Sequence, residues 1–167
     1  MLDKRGAVLE TAHSISRLLR QGKINGAVIG GIAVVLHGHV RTTRDVDVWV
    51  QGPLAEFGNL LEDHGATFDR KHKEFILDGI PVHLVAEEMA VPRPSGTVEI
   101  DGILTVSLAD LINLKLHSGM KNIARAQDIA DVIGLIRQRR LTAAFAGRLH
   151  KSLRAEFRKL VKAVRSS

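Results

Sequence analysis

Apolar and polar residues change period along this chain, and each change marks an element. Ala7 to Arg20 carries Val8, Leu9, Ala12, Ile15, Leu18 and Leu19 at three-and-four spacing, with Gly22 just beyond, which predicts an amphipathic packing helix. AVIGG (27–31) is a short apolar run closed by two glycines, and IAVVLHG (32–38) continues at helical length to Gly38, so strand, tight turn and helix are expected. RTTRDVDVWV (41–50) alternates with period two from Asp45 onward, the pattern of a strand with one buried face, on which Asp45, Asp47 and Trp49 share a side.

Beyond that strand, PLAEFGNLLEDHG (53–65) opens with a proline suited to a first helical turn, keeps Leu54, Phe57, Leu60 and Leu61 as an apolar stripe, and stops at Gly65. FIL and VHLV flank the turn-forming DGIP within 68–88, and 96–107 repeats the arrangement around Asp101-Gly102, so both stretches predict antiparallel strands. From Leu108 the period is helical, in segments 108–119, 124–140 and roughly 143–164. The expected fold is α/β (α+β): a mixed, mainly antiparallel sheet with flanking helices over 1–107, followed by a helical C-terminal extension over 108–167 packed on it. VPRPSG (91–96) reads as the one flexible loop, and there is no internal repeat or heptad series.

Composition narrows the chemistry. A chain of 167 residues, 45% hydrophobic, can bury one sizeable core and one site. Zero cysteines exclude disulfides, thiolate metal sites and thiol nucleophiles, leaving carboxylates, histidines or backbone oxygens as metal ligands. No run of about eighteen apolar residues occurs, and MLDKRGAVLE lacks the apolar stretch of a secretory signal, so a cytoplasmic protein without a membrane partner is expected. A net charge of +6 favours a phosphate-rich partner such as a nucleotide or RNA. Much of that charge lies in 148–165, where Leu149, Leu153, Phe157, Leu160 and Val161 keep helical spacing, so these cations read first as the solvated face of a packing helix.

The candidate chemistry sits in one stretch. Glycines let a backbone approach a phosphate, and free N–H groups at a helix start donate to it, so Gly30 and Gly31 can cradle a triphosphate. Carboxylates two apart on a strand project from one face roughly 6.6–7 Å apart, near enough to share hard divalent ions, which makes Asp45 and Asp47 candidate ligands for Mg2+. Arg41, Thr42, Thr43 and Arg44 directly precede them and can contact the remaining phosphate oxygens. The competing explanations are a ligand-free turn for the glycines and a solvated, arginine-paired strand face for the aspartates. His37 and His39 read as exposed loop histidines, Trp49 as a partly buried packing residue, and Lys115 either as a lysine snorkelling from an apolar helix or as a phosphate contact.

GGIAVVLHGHVRTTRDVDVWV resembles the Gly-Gly, then Asp-hydrophobic-Asp signature of the DNA polymerase β-like nucleotidyltransferase superfamily, and most resembles small bacterial members near the AbiEii toxin group. LADLINLKLHSGMKNIARAQDIADVIGLI is similar to the helical segment of those proteins, with Lys115, Arg125 and Asp128 at the matching lysine, arginine and aspartate. The resemblance spans roughly 25–137. It implies two divalent metals, Mg2+ or Mn2+, and transfer of a nucleoside monophosphate from a nucleoside triphosphate to a hydroxyl or other acceptor on RNA such as tRNA, on protein or on a small molecule. It also implies a third carboxylate on a later strand, and at the matching position in IPVHLV stands His83. Neutral imidazole binds magnesium poorly. Three compensations are open: His83 as general base, a softer ion such as manganese, or Glu87 or Glu88 reaching back from beyond the strand. The alternative is a degenerate member of the same fold that binds nucleotide or a cognate partner protein, in a toxin–antitoxin or phage-defence pair. A third reading, an RNA-binding accessory protein, would show affinity falling steeply with salt.

Overall fold

The computed structural model describes residues 4–167; Met1 to Asp3, the first part of the stretch without a secretory signal, lie outside them. Helix α1 (Lys4–Gln21) leads into β1 (Gly26–Ile29), α2 (Gly30–Leu36), β2 (Val46–Val50), α3 (Leu54–Asp63), and strands β3 (Thr67–Asp69), β4 (Glu74–Leu77) and β5 (Ile80–Ala86). A second hairpin, β6 (Val98–Ile100) and β7 (Ile103–Thr105), precedes α4 (Leu108–Lys121), α5 (Ala126–Arg139) and α6 (Arg154–Ser166).

The seven strands form one sheet in the order β3-β4-β5-β2-β1-β7-β6. Pairings β1–β7 and β2–β5 are parallel and the other four antiparallel, so the sheet is mixed and mainly antiparallel as the sequence predicts. Both two-residue hairpin loops are Asp-Gly. Asp78 and Gly79 have φ of 52° and 78°, and Asp101 and Gly102 have 50° and 80°, the left-handed pair a tight turn of this class requires.

Alternation along the central strands divides the core into two layers. Val46, Val48 and Val50 of β2 and Val28 of β1 pack with Val8, Ile15 and Leu19 of α1 and with Phe57 and Leu61 of α3. Ala27, Ile29 and Trp49 point the other way, against Leu111, Leu116, Leu135 and Phe157 of α4, α5 and α6. Asp47 is therefore on the face covered by the C-terminal helices. The side chains of these helices share one core cluster with the sheet.

Several boundaries differ from expectation. The strand ends at Ile29, and Gly30 already begins α2. Asp45 precedes β2, so Asp47 and Trp49 alone alternate within the strand, and Trp49 is fully buried, its Nε1 donating to the Glu87 carbonyl at 3.3 Å. The expected helix over 143–164 is broken into 3-10 turns at Ala143–Arg148 and Lys151–Leu153 before α6. The proline loop is anchored: Ser95 donates through N and Oγ to Asp110 Oδ2, both at 2.8 Å, while Ser107 caps α4 by accepting from Asp110 N.

Candidate active site

Gly30 and Asp47 fit together atom against atom. Gly30 has φ +70°, and a Cβ there would lie 2.2 Å from Asp47 Oδ2, so the turn out of β1 accepts glycine on both conformational and steric grounds. A Cβ on Gly31 would lie 2.7 Å from Thr43 Oγ1 and 2.9 Å from Arg41 Nη2, which places the arginine-threonine segment directly over the start of α2. The two glycines thus hold the carboxylate strand and the segment before it close to the same turn.

Strand register supplies the next member. Asp47 and His83 are Cα partners on parallel β2 and β5, and His83 Nδ1 lies 3.7 Å from Asp47 Oδ1. His83 thus stands beside the aspartate where the resemblance puts a carboxylate. Neither Glu87 nor Glu88 reaches the site: Glu87 pairs with Arg93 and accepts from Gly52 N at 3.4 Å, and neither glutamate lines the cavities described below.

Lys115 neither snorkels nor stands free. It is buried, with Nζ 3.0 Å from both Asp128 Oδ1 and Asp131 Oδ2. Asp131, fully buried on α5, also accepts from Arg41 Nη2 at 3.1 Å and from Gln127 Nε2 at 3.0 Å. Arg41 Nε lies 2.7 Å from Asp131 Oδ1 yet makes no hydrogen bond, so the contact there is ionic rather than aligned. Arg125 Nε reaches Asp128 Oδ2 at 3.0 Å. Burial by itself would raise the Asp128 carboxyl, but the Lys115 charge and the hydrogen bonds from Lys115, Ser118 and Arg125 hold it below its ordinary value.

These groups border two adjoining cavities. One, of about 460 Å³, is lined by Gly31 and by the consecutive Arg41, Thr42, Thr43, Arg44 and Asp45. The other, of about 420 Å³, is lined by Gly30, His83 and an aliphatic wall that includes Val85, Val91 and Leu114. Asp47, Lys115, Arg125 and Asp128 border both. Every site residue predicted from the sequence therefore lies on one of the two, while Asp131, Gln127 and the aliphatic wall come from the structure alone.

Asp47 is shifted in the opposite direction from Asp128. Burial, then the charge of Asp45, push its carboxyl up to about 6 against the smaller opposing charges of His83, Lys115 and Arg125. Two carboxylates that repel each other in a partly buried site fit a hard divalent cation, which binds oxygen donors and relieves that repulsion. The three ligating groups that lie within 4.8 Å of one another among the described residues are elsewhere, Asp69, His72 and Glu74 at the β3–β4 hairpin, where His72 and Asp69 already pair at 2.7 Å in solvent. His37 and His39 are packing residues. His37 is buried with Nε2 2.8 Å from the Val106 carbonyl, and the His39 ring lies where a Cβ on Gly134 would be, 2.4 Å from that position.

The fold has relatives among solved structures. An antigenic nucleotidyltransferase-like protein from Paracoccidioides brasiliensis superposes with a TM-score of 0.60 at 18% identity, over 95% of this chain and 92% of that one. ANT(2″)-Ia, solved in complex with adenylyl-2″-tobramycin, superposes with a TM-score of 0.62 at 15% identity, over 94% of this chain and 96% of its own. No protein-family model matches the chain, and no curated protein matches it in sequence. At these identities the likeness is one of fold, and the fold is nucleotidyltransferase-like.

Proposed function

We propose that this protein transfers a nucleoside monophosphate from a nucleoside triphosphate to a hydroxyl acceptor. The observation that carries the reading is convergence: Gly31, the 41–45 segment, Asp47, and Lys115 and Arg125 from the helical part surround one polar cavity, and Gly30 lines the cavity that adjoins it. Arg41, Thr42, Thr43 and Arg44 orient the phosphates. Lys115 and Arg125 add positive charge near the leaving pyrophosphate, tempered by their pairing with Asp128 and Asp131. Asp45 and Asp47 are the residues that would hold Mg2+ or Mn2+, which when bound neutralises developing charge on the phosphate oxygens.

In the transfer the acceptor oxygen forms a bond to the α-phosphorus, the bond from that phosphorus to the β-phosphate oxygen breaks, and pyrophosphate departs. His83 takes the acceptor proton, because its imidazole stands at the site with Nδ1 3.7 Å from Asp47 Oδ1 and imidazole is the side chain most often used as a general base. The proposed subgroup is the AbiEii-type one, on the strength of the RTTRDVDV strand and the Lys115, Arg125 and Asp128 match. Dependence on a cytoplasmic nucleotide pool puts the protein in the cytoplasm. Among the described residues no helix is long and apolar enough to cross a membrane.

One observation favours a second reading. His83 replaces the third carboxylate, so the same cavity can serve a nucleotide-binding module for a cognate partner protein, without transfer. Calorimetric titration with each nucleoside triphosphate, with Mg2+ or Mn2+, tests what the readings share. Binding that weakens at least tenfold in the Asp45→Asn/Asp47→Asn variant supports them, and absence of binding by the natural chain refutes both.

A further inference from the structure

The two cavities divide the proposed reaction between them. Arg41 to Asp45 border only the polar cavity, and His83 borders only the aliphatic one. A base that takes a proton must lie within hydrogen-bond reach of the hydroxyl that loses it. The 41–44 phosphate contacts and the proton acceptor thus line different cavities, which meet at Asp47, Lys115, Arg125 and Asp128, with Gly30 of the turn on the His83 side.

The lining of the second cavity describes its occupant. Val85, Val91 and Leu114 give an aliphatic wall suited to an apolar face, with exposed Met89 at its edge. Its carboxylates are Asp47 and Asp128, the first placed with the proposed metal and the second already paired with Lys115 and Arg125. Lys121 is exposed and enters none of the ion pairs among the described residues. The unspent charge on this wall is positive. A polycationic acceptor, such as an aminoglycoside, would need carboxylates that this wall does not offer.

We infer that the aliphatic cavity is the acceptor subsite and that it takes a hydroxyl-bearing acceptor with an apolar face and an anionic group, its charge received by Lys121. The inference rests on the transferase reading above and assigns the acceptor class within it.

The probe is 8-anilinonaphthalene-1-sulfonate, an apolar ring system with one negative charge, whose binding is followed by equilibrium dialysis. The natural protein is expected to bind it equally well with and without saturating nucleoside triphosphate and Mg2+. Lys121→Glu should weaken the probe about fivefold, as loss and reversal of one partly exposed charge contact implies, and Leu114→Trp should abolish its binding by filling the cavity. Both variants should keep the natural affinity for triphosphate, and tobramycin should not displace the probe. Displacement of the probe by triphosphate, or loss of triphosphate affinity in Leu114→Trp, would overturn the inference by showing that the cavity houses the donor nucleoside. Unchanged probe binding in Lys121→Glu, a surface variant that leaves the core intact, would overturn the anionic preference. A natural protein that binds the probe but no triphosphate would instead refute the transferase reading, and with it the acceptor role.

Discussion

His83 and Asp47 are register partners on adjacent parallel strands, with Nδ1 of one 3.7 Å from Oδ1 of the other. That pairing fixes what His83 can do. Replacing it with asparagine removes the proton acceptor without adding charge, and transfer should fall roughly 10²–10⁴-fold, the usual contribution of a general base, with triphosphate affinity little changed. His83→Asp should tighten Mn2+ and Mg2+ binding, because a third oxygen ligand joins the pair. A transfer assay and triphosphate titration of the asparagine variant check the first statement, and calorimetric metal titration of His83→Asp checks the second.

Asp47 makes the stability of the metal-free protein depend on pH in a defined window. Its folded value of about 6 lies above the ordinary 3.8, so between these limits the folded chain binds more protons than the unfolded one and stability falls as pH rises. Asp47→Asn escapes this loss. Two pKa units correspond to at most roughly 3 kcal/mol. With the side chain 30% exposed, an advantage of about 1–2 kcal/mol above pH 6, vanishing below pH 4, is the expected outcome. Urea unfolding in EDTA across that range measures it.

Asp131 is the anchor shared by Arg41 and Lys115. Truncating it leaves Arg41 without its counter-charge and Lys115 with Asp128 alone, and Asp131→Ala should cost about 3 kcal/mol. A Lys115→Met/Asp131→Leu double variant should recover part of that stability, since an apolar pair of similar volume needs no desolvation of charge, while still binding triphosphate poorly. Denaturation and nucleotide titration of the same samples separate the two effects.

Gly30→Ala combines positive φ with a Cβ 2.2 Å from Asp47 Oδ2. Strain at such a position costs roughly 1–3 kcal/mol, and the displaced carboxylate should weaken metal binding at least tenfold. The counterpart Gly147→Ala, which meets nothing within 4 Å and has no positive φ, should leave metal binding as it is.

The sequence carries most of this site because local signals wrote it. Alternation in DVDVWV set the face of Asp47, the glycine pair marked the turn, and Asp-Gly dipeptides gave both hairpins their loops. What escaped depends on tertiary partners. Asp131 lies three residues after Asp128 on a stripe shared with Val132 and Leu135, a spacing that placed an acid on a buried helix face, but its counter-charge is 90 residues away at Arg41. Lys115 read as either a snorkelling residue or a phosphate contact for the same reason: only the packing of α4 on α5 shows that two aspartates enclose it. The aliphatic cavity is assembled from β5, the 89–91 segment and α4, and no local pattern announces it.

The most direct test of the central claim is transfer itself. The purified protein is incubated with each α-labelled nucleoside triphosphate, Mg2+ or Mn2+, and bulk cellular RNA, protein and small-molecule extract, beside Asp45→Asn/Asp47→Asn and His83→Asp. Label passing to an acceptor with release of pyrophosphate, and lost in the double variant, is the predicted result. No transfer by the natural protein but transfer by His83→Asp would contradict it, and would show a site that lost its chemistry with its third carboxylate.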